Sequence, residues 1–327
     1  MRPALTFAHL SIDRASDKRT CDNWYEIQSC DVSRIIIPFY LGKVLFIDNR
    51  LLKITGNEFR LLEQRLTESD RLAAQQIFLG NDTDTVTPVF MIDLSENAFL
   101  SLIAKYTETI ELVGTRQCIP YLSKEEVSLI GYGSALNHWH QSARFCGFCG
   151  EMTRLIESGH AKQCSNVDCN KLHFPRKDPV VIALVEHIDS KGVKRCLLAG
   201  HKHLPSYVIS TLAGFVEHGE SIEQAVVREV YEETQVTVKN VKYLNSQPWP
   251  FPNSLMLGFI AQATTKDIVI DEQELSSANW YTAEEVKLMK DWQGDMDCES
   301  DDLQIPRKES IARYLIEYWL ATVENSA

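Results

Sequence analysis

Glu229, Glu232 and Glu233 fall at i, i+3 and i+4 within the segment GFVEHGESIEQAVVREVYEETQV, residues 214–236. On a helix that spacing gathers their carboxylates into one cluster, where they repel one another. Divalent cations relieve the repulsion, and an all-oxygen ligand set suits magnesium or manganese, ions that accompany phosphate-bearing substrates. Arg228 sits inside the array, where it can pair with Glu220 or a neighbouring glutamate and hold the carboxylates in position. Ser221 and Gln224 form a capping box that starts the helix. At about 100° per residue, Ile222, Val226 and Val230 define an apolar arc, and Glu229 and Glu233 fall on or beside it. A solvated acidic helix would place them on the opposite face. Carboxylates at the edge of a buried face are costly without compensation.

A second constellation is made of thiols. Cys146-Gly-Phe-Cys149 is followed by Cys164 and then Cys169, two close pairs that can set four thiolates tetrahedrally around one zinc. Gly147 and Gly150 suit the tight first knuckle. With all four positions filled by thiolate, the zinc, one per chain, is expected to be structural. A redox CxxC would not need the second pair. A nucleic-acid-binding ribbon would have only Arg144, Arg154, Lys162, Lys171, Arg176 and Lys177 nearby. The other five of the nine cysteines, Cys21, Cys30, Cys118, Cys196 and Cys298, are scattered and read as buried or incidental thiols.

These groups need elements to position them. At 327 residues the chain is long enough for two domains and a small module, and we expect an α+β domain over 1–142, a zinc ribbon over 143–175 and an α/β domain over 176–327. In the first, Ile35–Tyr40 and Val44–Ile47 read as a hairpin, Pro88–Asp93 as a strand, and Ser123 to Trp139 as a helix opened by the Ser123–Glu126 capping box. In the last, strands are expected at Val180–Glu186, Arg195–Ala199, Val238–Leu244, Leu255–Ala263 and Asn279–Tyr281, with a final helix from Ser310 to Val323. No internal repeat is visible. The acidic stretch Asp295-x-Asp297-x-Glu299-x-Asp301-Asp302 lacks the central glycine and bidentate glutamate of a calcium loop and reads as a solvated loop. The net charge of −12 argues against a broad basic surface for nucleic acid, though not against one nucleotide in a pocket. No run of 18 or more apolar residues appears, so no membrane span is expected and a cytoplasmic protein is the default.

The run Gly214-x5-Glu220-x7-Arg228-Glu229-Val230-x-Glu232-Glu233 resembles the Nudix hydrolase signature. Ser246-Gln247-Pro248-Trp249-Pro250-Phe251-Pro252-Asn253-Ser254 resembles the SQPWPFPxS element of NADH pyrophosphatases, the branch to which the four cysteines also point. Phe174-Pro175-Arg176-x-Asp178-Pro179 and Asp271-x-x-Glu274-Leu275-x-x-Ala278-Asn279-Trp280-Tyr281 extend the likeness. The resemblance implies a Nudix fold, a mixed sheet sandwiched by helices, behind the zinc ribbon and the α+β domain. It implies Glu229, Glu233, Glu274 and the carbonyl of Ala213 as Mg²⁺ or Mn²⁺ ligands, with Glu232 auxiliary and one box glutamate handling the attacking water. It further implies Phe174 and Phe215 stacking on a substrate ring. Gln247, Pro248, Trp249, Pro250, Phe251, Pro252, Asn253 and Ser254 would line the nucleotide pocket, with Ala312 added from the last helix. The implied reaction is hydrolysis of NADH to reduced nicotinamide mononucleotide and AMP by a homodimer, with NAD⁺ and NAD-capped RNA 5′ ends as further substrates. ADP-ribose as the preferred substrate, or an RNA-binding ribbon protein with an inactive box, are the competing readings. One departure stands out: the family's closing glycine is Gln235 here, which can adopt the left-handed conformation at about 1–2 kcal/mol.

Overall fold

The computed structural model describes residues 5–21, 23–73, 75–296 and 300–325, so Asp297, Cys298 and Glu299 of the acidic stretch lie outside the described residues. Two compact units form: His9–Arg176 with Pro250–Asn253, and Met1–Ala8 with Lys177–Trp249 and Ser254–Ala327.

In the first unit Ile35–Tyr40 reads IIIPFY, an unbroken apolar run, and its middle four residues are buried. Such a run suits the interior of a sheet covered on both faces. The strand pairs antiparallel with Lys43–Ile47 and parallel with Pro88–Asp93, which pairs antiparallel with Gln76–Asp82. Side chains alternate across the pleat. Ile36, Phe78 and Phe90 therefore pack with Phe59, Leu62 and Leu102 of the short helices Gly56–Glu63 and Glu96–Ile103. Ile37, Phe39 and Met91 pack with Ile130 and Leu136 of the helix Lys124–Ser142. That helix opens on the expected capping box, with Ser123 and Glu126 satisfying each other's backbone N–H. The zinc-ribbon strands, Thr153–Ile156, Ala161–Cys164 and Leu172–His173, make a small antiparallel sheet. Lys162, counted above as a charge available to nucleic acid, is buried instead, donating to the carbonyls of His140 and Ala143 at 2.7 and 3.1 Å.

The second unit has a seven-stranded mixed sheet. Asp178–Ile188 runs parallel to Ser254–Ala263 and antiparallel to Lys194–His201 and Leu212–Phe215. Val181, Ala183 and Val185 point to one face, against Ala225, Val226 and Val230 of the helix Ile222–Thr234. Ile182 and Leu184, on the other face, meet Ile311, Leu315 and Trp319 of the helix Ile311–Glu324, with Cys196 buried among them. The strand expected to stop at Leu244 runs on to Trp249, through Pro248. It is the edge strand of the sheet, where a missing N–H breaks no ladder. Only Pro250–Asn253 remains as a connection to the partner strand.

The sequence shows no internal repeat, yet the sheets share a strand order. Gln76–Asp82, Pro88–Asp93, Ile35–Tyr40 and Lys43–Ile47 lie side by side as antiparallel, parallel and antiparallel pairs. Val238–Trp249, Ser254–Ala263, Asp178–Ile188 and Lys194–His201 repeat that order and those senses.

Candidate active site

The box helix is positioned from its first turn. Ser221 accepts from the Gln224 N–H, and the Gln224 side chain accepts from the Ser221 N–H at 2.8 Å. Just before it, Leu212–Phe215 pairs with Asp178–Ile188, placing Gly214 opposite Val181. The Glu229 carboxyl lies directly on Gly214: a Cβ built there would stand 1.9 Å from Cδ of Glu229 and 2.1 Å from both oxygens. Only glycine leaves that space.

Arg228 occupies the centre of the acidic array. Its guanidinium donates to Glu220 at 2.6 and 3.1 Å in a bidentate pair, to Glu229 at 2.8 Å, to Glu232 at 2.9 Å and to the Phe215 carbonyl at 2.9 Å. These partners, Glu220 first, raise the Arg228 pKa further. The same pair, with the N–H of Glu217, lowers the Glu220 carboxyl. Burial raises Glu229 above the usual carboxylate range while Arg228 opposes the rise.

Glu233 differs from its neighbours. It is 2 % exposed, and neither carboxylate oxygen has a hydrogen-bond partner among the described residues. Burial pushes its pKa to about 8, and the charges of Glu229 and Glu274 add to the rise. A buried carboxyl left without donors is costly unless a cation meets it. The donor set around it is all carboxylate and fits a hard divalent ion. Glu274 is brought near by the loop before Leu275–Thr282. The Asp271 N–H donates to the Glu233 carbonyl at 2.9 Å, and the Glu274 carbonyl accepts from Lys202 at 2.9 Å. Asp271 was read only as a motif letter, and its tie to the helix end is visible only in the fold. Glu232 faces solvent, its side chain 58 % exposed.

The other predicted residues divide. Phe215 and Phe174 carry exposed rings. Trp249 meets Phe7 edge-on at 6.2 Å, Arg116 lies over Phe251 at 4.5 Å, and Asn253 donates to the Arg176 carbonyl at 3.0 Å. Pro248 lies opposite Leu255 and Trp249 opposite Ser254, while Pro250 is buried and Pro252 exposed at the turn. The side chains of Gln247 and Ala312 are buried. Gln247 is fully buried: its amide N–H groups donate to Thr6 and Glu309 at 3.0 and 2.7 Å, and its carbonyl accepts from Ile311 at 2.8 Å. It braces the start of the last helix, where Ala312 is a core residue 5 % exposed.

In the ribbon the four thiols lie within 4.8 Å of one another, Cys146 to Cys169 at 3.8 Å and Cys149 to Cys164 at 3.4 Å. Tetrahedral ligation with Zn–S near 2.3 Å requires sulfurs about 3.8 Å apart, so the cage fits a structural zinc. The backbone N–H groups of Cys149 and Phe148 lower the Cys146 thiol to about 6, whereas burial raises the Cys164 thiol. Among the described residues no other set of three or more His, Cys, Asp or Glu ligand atoms is gathered this closely.

Comparison with known proteins matches the segments that carry these two centres. The profile of the NUDIX domain matches residues 177–298, that of the NADH pyrophosphatase zinc ribbon domain 141–174, and that of the NADH pyrophosphatase-like rudimentary NUDIX domain 37–139. The human NAD-capped RNA hydrolase NUDT12 is 31% identical over 98% of this chain and 74% of its own length. The NAD-capped RNA hydrolase NudC of Pseudomonas aeruginosa is 37% identical over 77% of this chain and 89% of its own. Nudix hydrolase 19, chloroplastic, of Arabidopsis thaliana is 40% identical over 64% of this chain, which spans only 50% of that relative. The shared strand order of the two halves now has its explanation, a rudimentary NUDIX domain preceding a complete one, and the chain belongs to the NADH pyrophosphatase family of Nudix hydrolases.

Proposed function

We propose that the chain hydrolyses the pyrophosphate bond of NADH, and also that of NAD⁺ and of NAD-capped RNA 5′ ends, releasing reduced nicotinamide mononucleotide and AMP from NADH. The observation that carries the reading is Glu233, a buried carboxyl with no side-chain hydrogen-bond partner among the described residues, beside Glu229 and Glu274. In this reading Glu229, Glu233, Glu274 and the Ala213 carbonyl hold Mg²⁺ or Mn²⁺, and Glu232 adds a carboxylate at the exposed rim. When bound, the cation neutralises phosphate charge so that water can reach phosphorus. The chain's own residues do the rest. Arg228 fixes the orientation of Glu229 and Glu232, Gly214 leaves room for the Glu229 carboxyl, and one box glutamate takes the proton of the attacking water. Phe215 and, on its own segment, Phe174 stack on substrate rings. Pro248, Trp249, Pro250, Phe251, Pro252, Asn253 and Ser254 shape nucleotide recognition, with Gln247 and Ala312 as positioning residues. The active form is a homodimer in a reducing, cytoplasmic setting, where thiolates stay available to zinc.

Product analysis with NADH and a 5′-NAD-capped RNA at matched concentrations, under Mg²⁺ and under Mn²⁺, tests the reading. Glu233→Gln should lower kcat roughly a thousandfold with zinc content unchanged. Unaltered hydrolysis in that variant would overturn the chemistry. A kcat/KM for ADP-ribose tenfold above that for NADH would overturn the substrate. Light scattering of the zinc-loaded chain tests the dimer.

A further inference from the structure

The His9–Arg176 unit contains a cavity of about 440 Å³, walled by the helix Lys124–Ser142 and by residues of the ribbon's first strand. Its volume lies in the range of about 300–1,000 Å³ that small-molecule sites occupy. None of its lining residues belongs to the carboxylate array or the thiolate cage.

Its wall has three kinds of surface. Ile77, Leu94, Met152 and Leu155 are apolar. Asn137, 3 % exposed, has neither its amide oxygen nor its amide nitrogen bonded, and Nδ1 of His140 is also without a partner. Such groups are costly to leave unsatisfied, and native interiors keep few of them. The third surface is cationic. Lys162 is bonded only to carbonyls and lies 5.5 Å from the Trp139 ring centroid. No ion pair among the described residues involves Lys162 or Arg144. The one lining carboxylate, Asp93, already accepts from Gln141 at 2.9 Å.

We propose that this cavity binds a nucleoside monophosphate, with the base between the apolar walls and against the Asn137 amide, and the phosphate toward the exposed Arg144. An amide offers the paired donor and acceptor that a base edge matches. An arginine with no carboxylate partner suits a phosphate. The proposal does not depend on the reaction given above.

Equilibrium dialysis of the full zinc-loaded chain with AMP, without added Mg²⁺ or Mn²⁺ and in a Glu233→Gln background, isolates the site. One AMP per chain is expected. Asn137→Leu and Arg144→Gln should each weaken it tenfold or more, and inorganic phosphate and adenosine should each bind less well than AMP. In the otherwise native chain both substitutions should leave zinc content and cation-dependent turnover intact, which separates loss of the site from loss of the fold. Unchanged AMP binding in both variants overturns the proposal, as does a melting temperature raised by Asn137→Leu with no loss of AMP, the mark of a merely buried amide. Phosphate binding as tightly as AMP overturns the nucleotide assignment.

Discussion

At Glu229 and Glu233, one helical turn apart, two carboxyls have different electrostatic surroundings. Glu229 is held by Arg228 and rests on Gly214, whereas Glu233 is shut away with no side-chain donor among the described residues. The sequence signals half of this contrast, because the apolar arc of Ile222, Val226 and Val230 already places both glutamates at the buried edge. The role of Gly214 was not legible, since it arises from a strand and a helix meeting across fifteen residues of chain. Gly214→Ala tests that contact. Its added methyl would displace the Glu229 carboxyl, and shifts on the order of 1 Å in a catalytic group lower rates about a hundredfold. We expect such a fall in kcat/KM with the zinc content and melting temperature little changed. A fully active alanine variant would show that Glu229 needs no such support.

Among the elements, the box helix ends as its sequence departure requires. Gln235 takes φ 55° in the left-handed region, and its N–H reaches the Tyr231 carbonyl at 2.7 Å. Gln235→Gly should therefore stabilise the chain by about 1 kcal/mol, raising the melting temperature by roughly 2–4 °C with activity unchanged. A lower melting temperature would contradict the strain argument. The strand expected to end at Leu244 runs on through Pro248 to Trp249. Whether a strand lies at an edge is a property of the sheet and is not written in the local sequence. The bracing role of Gln247 was hidden for a related reason. Its motif suggested a ligand, whereas its three bonded partners come from segments distant in the chain.

Across the whole molecule, burial keeps several histidines neutral. Burial, reinforced by Lys162, lowers His140 to about 3; burial also lowers His160 and His201 to about 4. An unfolded imidazole titrates near 6.5, so the folded state resists protonation. The stability this gives is fully present above about pH 6.5 and is lost as the pH falls toward 4. At pH 5 each ring should withdraw up to about 2 kcal/mol. Urea midpoints at pH 7.5 and 5.0, with zinc in excess, should fall accordingly, and His201→Gln should remove part of the difference. Equal midpoints would mean that these rings are charged in the fold. The doubled strand order belongs to this scale too. Among the described residues the first half carries no counterpart of the glutamate array, and its helix Gly56–Glu63 has only the capping-box Glu58 and the terminal Glu63. A repeat of topology without a repeat of chemistry leaves no periodic trace in the residues.

The segment around Phe7 sets a condition on how the catalytic half can be handled. Leu5 packs on the core of the last helix, the Thr6 carbonyl receives Gln247, and Phe7 meets Trp249. The catalytic half is therefore discontinuous in sequence, with a plug supplied from more than 160 residues upstream. A fragment cut to begin at Lys177 would leave the Gln247 amide one acceptor short and Trp249 without its aromatic neighbour. Supplying residues 5–8 as a free peptide, or moving them by circular permutation to follow the last helix, should restore melting behaviour that the cut fragment lacks.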